Sequence, residues 1–168
     1  MVMAIVKTLL NKTPQFGKEC YLSENAVVVG DVVMGDHCSV WFSAVIRGDV
    51  NSIRIGNNTN IQDCSCIHAT YKTGPVNIGN NVSIGHNVTV HACTIKDGAL
   101  IGMGATLLDG CEIGEGAVVA AGALVLSNTK IGKWELWGGV PAKFIKMAKP
   151  GQAESFAEHY MMYKEWYK

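Results

Sequence analysis

An aliphatic residue recurs at every sixth position along much of this 168-residue chain, and no other feature restricts its fold as tightly. Met34, Val40 and Ile46 form one run; Ile55, Ile61 and Ile67 form a second; Ile78, Ile84 and Val90 form a third. The longest is Ile95, Ile101, Leu107, Ile113, Val119 and Val125. The next residue is often small, as at Gly35, Gly56, Gly79 and Gly102, and the fourth is small or β-branched, as at Thr59, Val82, Ala99 and Ala117. A period of six fits neither the 3.6 of a helix nor the 2 of a strand with two unlike faces. A short strand followed by a tight corner does fit. Three such units close a triangular coil of 18 residues. Stacked coils lie ~4.8 Å apart, the spacing of neighbouring strands. Each repeat then buries its aliphatic residue only against its neighbours, as in a solenoid.

The chain is therefore predicted to be all-β, a single-stranded parallel β-helix forming one domain over 1–168. Coils are expected over about 13–133, with the aliphatic run ending at Val125. An irregular crossing segment is expected over 134–151, where Trp134, Trp137, Gly138, Gly139 and Pro141 cluster. Residues 152–167 read as an amphipathic C-terminal α-helix. Ala153, Phe156, Ala157, Tyr160, Met161 and Lys164 supply its inward stripe at helical spacing. The apolar start, Met1 to Leu10, reads as a first strand or a buried arm.

Composition narrows the function classes. Fourteen basic residues balance fourteen acidic ones, which argues against a nucleic-acid or polybasic membrane partner. No run of about 18 apolar residues predicts a membrane span, and a cytoplasmic location is expected. The six cysteines include no C-x-x-C pair, so they read as small buried hydrophobes rather than a zinc ribbon or a disulfide framework.

The period breaks at three places. Ile46 and Ile55 are nine apart, Ile67 and Ile78 eleven apart, and Val90 and Ile95 five apart. Insertions in a solenoid map to loops on one face, and the histidines lie beside these. His68 follows Ile67 and His91 follows Val90, at equivalent corners of adjacent coils. Their imidazoles can meet on one face and bind one Zn²⁺. His86, two places after Ile84, projects from another corner. It cannot easily reach such an ion of its own chain, but it can reach a neighbour's if the coils pack side by side around a three-fold axis. Three imidazoles plus a water make the open, catalytic zinc arrangement. His37 and His159 read as surface residues.

The six-residue pattern resembles the hexapeptide-repeat family, which implies a left-handed coil. From Val29 to Lys143 the chain further resembles the gamma-class carbonic anhydrases. The carrying segments are VWFSAVIRGD (40–49), IGNNTNIQD (55–63), IGHNVTVH (84–91), IGMGA (101–105) and GGVPAK (138–143). The resemblance implies a homotrimer with interfacial metal sites that interconverts CO₂ and bicarbonate through a metal-bound hydroxide. His68, His86 and His91 would be the ligands of Zn²⁺, with Fe²⁺ or Co²⁺ also suited to the site. Gln62 would hydrogen-bond the bound water or bicarbonate. Arg47 and Asp49 would pair near the interface, Arg47 also helping to place bicarbonate. Asp63 would order its neighbours, and Tyr160 would reach the site from the C-terminal helix.

Two departures bear on rate. Founding members carry a glutamate straight after the aspartate matching Asp49, where this chain has Val50. They also carry an acidic proton-shuttling loop, whereas Thr70 to Pro75 has no acid. A buffer, Tyr71 or Tyr160 would have to substitute, with no physical reason to prefer one. Competing expectations are a non-catalytic metal-holding trimer, a hexapeptide acyltransferase and a metal-dependent thioesterase acting on an acyl-CoA.

Overall fold

The computed structural model describes residues 4–167. Parallel strands wind into a triangular coil whose walls form a twelve-stranded and an eight-stranded sheet. Val27–Met34 and Val45–Ile55 run on around a corner, which joins two walls into the larger sheet. Gly30 makes this possible, with φ +77° and no room for a Cβ, which would sit 2.3 Å from the Gly48 carbonyl oxygen.

The ladder shows where the period is broken. Val28 stands beside Ile46, an offset of 18 residues. Ile46 stands beside Ile67, an offset of 21. Ile67 stands beside Val90, an offset of 23, and Val90 beside Leu107, an offset of 17. These departures of +3, +5 and −1 match the spacings of nine, eleven and five in the sequence. Stacking is thus kept by pushing the extra residues out of the wall. Ile46, Ile61, Ile67, Ile84, Ile101, Leu107 and Ile113 are completely buried in the column that results.

A second ladder explains the glycines after the aliphatic residues. The Asp36 side chain accepts from Lys18 N at 2.7 Å, Asn57 from Asp36 N at 2.7 Å, Asn80 from Asn57 N at 2.8 Å, and Asp97 from Asn80 N at 2.9 Å. Each of these side chains fills the space over a glycine one coil below. A Cβ on Gly79 would lie 2.1 Å from Asp97 Oδ1.

Several expectations need correction. The aliphatic column does not end at Val125, because Ile131 keeps the six-residue step and packs beside Ile113, 3% exposed. The segment 134–151 is not simply irregular: Glu135–Gly138 extends the eight-stranded wall and pairs antiparallel with Lys143–Met147. The helix proper is shorter, Glu154–Tyr163, and continues as a 3-10 turn over Lys164–Tyr167. Of its stripe, Ala153, Ala157 and Lys164 are buried, while Phe156 and Met161 are exposed. The Lys164 ammonium is held by the carbonyls of Glu19 at 2.9 Å and His37 at 3.1 Å, fastening the C-terminal segment to the first coils. At the other end Ile5–Lys7 is a strand, but an exposed one, and residues 1–3 of the expected arm lie outside the described residues. Cys38, Cys93 and Cys111 are buried as expected, whereas Cys64 and Cys66 are exposed; all six are free thiols.

Candidate metal centre

The strand ladder brings Arg47, His68 and His91 into one row: Arg47 stands beside His68, and His68 beside His91. His68 Nδ1 and His91 Nε2 face each other at 3.1 Å. The outer nitrogen of each ring meets a carboxylate: His68 Nε2 lies 3.0 Å from Asp49 Oδ1, and His91 Nδ1 lies 2.6 Å from Asp109 Oδ1. Arg47 binds the other oxygen of Asp49, and the Thr70 hydroxyl donates to the other oxygen of Asp109. The carboxylates fix the outer N–H groups, so both inner nitrogens present lone pairs. Two lone pairs that close call for a cation between them, a proton or a metal. Two nitrogens bound at roughly 2.0–2.1 Å in a tetrahedral site stand about 3.3–3.4 Å apart. The observed pair already lies close to that separation.

The electrostatics keep these carboxylates charged. Burial pushes Asp49 up, but hydrogen bonds from Arg47 and His68 outweigh it and leave the group below the usual carboxylate range. The hydroxyl of Thr70, then the ring of His91, hold Asp109 down as well.

A second group lies one corner away. Asn60–Ile61 and Ser83–Ile84 are neighbours in the eight-stranded wall, and Gln62, Asp63 and His86 follow them into the turn. His86 Nδ1 lies 2.8 Å from Asp63 Oδ2, and its Nε2 lies 3.4 Å from the Tyr160 hydroxyl. Gln62 is buried and donates to Asn60 Oδ1 at 3.0 Å, while Asn60 donates to Ser83 Oγ at 2.8 Å. Burial, then the charge of Asp63, pushes the Tyr160 phenol up to about 12. Gln62, His86, Met103, Phe156, Tyr160 and Tyr163 line a cavity of about 350 Å³ on this side.

The eight expected residues therefore form two half-sites. Arg47, Asp49, His68 and His91 share one corner; Gln62, Asp63, His86 and Tyr160 share another. Among the described residues, no group of three or more His, Cys, Asp or Glu is placed to hold one metal ion. Sequence reasoning missed Asp109 and Thr70. Asp109 is 18 residues beyond His91 and 39 beyond Thr70, so only the stacking of coils brings them together. Val50 is partly buried against the core, and Tyr71 is 64% exposed on the loop.

Comparison with known proteins places this geometry in a family. The profile for bacterial transferase hexapeptide repeats matches residues 92–127. A probable carbonic anhydrase of Methanocaldococcus jannaschii is 50% identical over 146 residues, covering 87% of this chain and 91% of its own length. The chain belongs to the gamma carbonic anhydrase-like hexapeptide-repeat family. Gamma carbonic anhydrase 2 of Arabidopsis thaliana mitochondria is 46% identical over 148 residues, or 83% of this chain. The match spans only about half, 53%, of that longer relative. Among solved structures, a hexapeptide transferase family protein from Anaplasma phagocytophilum has a TM-score of 0.93 at 34% identity, covering 98% of both chains. Among the described residues, no helix is long and apolar enough to cross a membrane.

Proposed function

We propose that this protein is a carbonic anhydrase that interconverts CO₂ and bicarbonate at a metal site shared between subunits of a homotrimer. The facing nitrogens of His68 and His91 at 3.1 Å, each ring backed by its own aspartate, are the observation that carries this reading. His86 of a neighbouring chain supplies the third imidazole, since within one chain it lies on a different corner. Three neutral imidazoles suit Zn²⁺, and also Fe²⁺ or Co²⁺. A bound divalent ion of this kind supplies Lewis-acid activation of water near neutral pH.

The remaining steps belong to the chain's own groups. Asp49 and Asp63 accept the outer N–H of His68 and His86, which fixes the tautomer of each and frees its other nitrogen for the metal. One N–H of Gln62 is committed to Asn60, and its other N–H can orient the oxygen of substrate or water. Arg47 lies beside His68 and is 45% exposed in its side chain, so it can attract bicarbonate while holding Asp49. Tyr160, with its phenol pushed up to about 12, stays protonated at neutral pH and acts as a hydrogen-bond donor, not as a base. Protons leave to buffer, because the Thr70–Pro75 loop offers no carboxylate.

The test is equilibrium dialysis against Zn²⁺ together with stopped-flow CO₂ hydration with and without chelator. The expected result is one ion per chain and chelator-sensitive hydration. A chain that binds zinc without hydrating CO₂ contradicts the enzymatic reading. A second reading, hydrolysis or transfer of an acyl thioester, draws on the cavity of about 350 Å³ beside His86, which is larger than CO₂ requires. Acyl-CoA turnover by the zinc-loaded protein separates the two.

A further inference from the structure

Three imidazoles carry three carboxylates here, and one of these carboxylates has no counterpart in the residues the family resemblance identifies. Asp109 sits 2.6 Å from His91 Nδ1, closer than Asp49 is to His68 or Asp63 is to His86. Its second oxygen is also committed, to the Thr70 hydroxyl. Thr70 is itself fixed three ways. Its N–H donates to the Gly74 carbonyl at 2.8 Å, its carbonyl accepts from Gly74 N at 3.3 Å, and that carbonyl also accepts from Asn51 Nδ2 at 3.1 Å. The loop closed by these bonds packs against the residue next to His91: a Cβ at Gly74 would lie 2.7 Å from the Ala92 Cβ. The eleven-residue step between Ile67 and Ile78 thus yields a brace, which reaches across to a carboxylate of the coil beyond.

We propose that Asp109, clamped by Thr70, is the positioning residue of His91, holding the ring as its Nδ1–H tautomer so that Nε2 faces His68. The inference deepens the metal-centre reading and rests on it. A ring free to turn, or free to carry its proton on Nε2, would offer His68 Nδ1 an N–H instead of a shared cation site. Asp109 has no contact with the reacting atoms in this assignment and acts only through His91. The acid-free loop then has a role of its own: it supports a metal ligand.

Two measurements test this. Competition with a chromophoric chelator reads Zn²⁺ affinity, and long-range ¹H–¹⁵N spectra of the metal-free protein read the His91 tautomer. Asp109→Ala is expected to weaken zinc by about 10–100-fold and to replace the Nδ1–H signal with a mixture. Asp109→Asn keeps a carbonyl oxygen that can accept the same N–H, so it is expected to recover much of both losses. Thr70→Val, which leaves Asp109 in place, is expected to fall between wild type and Asp109→Ala. Unchanged affinity and an unchanged tautomer in a folded Asp109→Ala protein would overturn the proposal. Equal losses in Asn and Ala would overturn it too, since a pure charge role predicts that result, and the His91 tautomer separates positioning from plain packing, which leaves the Nδ1–H signal unchanged. Failure of the wild type to bind zinc refutes the metal-centre reading alone. Loss of the Nδ1–H signal in Asp109→Ala would still support the positioning role.

Discussion

Two inactive variants of this protein should restore each other. In His86→Ala, every chain keeps the pair His68–His91 but has lost the third imidazole. In the double variant His68→Ala/His91→Ala, every chain keeps His86 but has lost the pair. The three side chains are between 18% and 44% exposed and lie outside the aliphatic column, so truncation leaves the core intact. Neither variant alone can assemble a complete site. Mixed at equal amounts and allowed to assemble at random into rings of three, about three-quarters of the trimers contain both chains. Each mixed ring has one complete interface of three, so about one-quarter of wild-type sites return. The assay is CO₂ hydration by stopped flow after co-refolding, with zinc content measured on the same samples. Recovery near one-quarter, matched in zinc, is the expected outcome. No recovery from a mixture shown by native mass spectrometry to contain mixed trimers would refute the shared-site geometry. Full zinc occupancy in His86→Ala alone would refute it as directly.

Gly79→Ala drives a Cβ to 2.1 Å from Asp97 Oδ1 and breaks the cap on Asn80 N, so it should cost about 1–3 kcal/mol of stability; an unchanged denaturation midpoint would contradict the ladder. Burial pushes Asp31 up, but Arg54 and then Lys12 outweigh it, so the carboxyl titrates below its unfolded value. Its stabilisation is therefore present above the ordinary carboxyl range and lost as pH falls through the lower folded value. Asp31→Asn should lower Tm at pH 7, and the difference from wild type should shrink as pH falls below the ordinary carboxyl range. Because no acid lies on the Thr70–Pro75 loop, turnover should rise with added imidazole buffer and then saturate; a rate indifferent to buffer would mean that an internal proton relay exists.

The wall of the coil was legible because its pattern repeats along the chain. One aliphatic residue per six is enough to specify a buried column, and the spacings of nine, eleven and five reappear as offsets of 21, 23 and 17 between stacked strands. The pairing of His68 with His91 followed from the same register. What the sequence concealed was contact made by side chains across coils. Asp109 lies in a stretch with no irregularity of its own, and nothing at position 109 signals a partner at 70 or 91. Lys164 falls in the apolar stripe at the right spacing, yet its burial depends on two carbonyls from turns near residues 19 and 37. Phe156 and Met161 share the stripe's spacing but stay exposed, because the helix touches the coil along a line narrower than its apolar face. The end of the column was misplaced for a different reason. Ile131 keeps the six-residue step from Val125 and the 18-residue offset from Ile113, but its polar neighbours Thr129, Lys130 and Lys133 mask the step.

The central claim is CO₂ chemistry at a metal held by His68 and His91 of one chain and His86 of another. Exchange of ¹⁸O between CO₂ and water, followed by mass spectrometry on zinc-loaded protein, tests it most directly, because exchange reads interconversion without needing net proton release. The account predicts exchange well above the uncatalysed rate, abolished by chelator and by His91→Ala. Exchange at the uncatalysed rate in protein carrying one zinc per chain would contradict it.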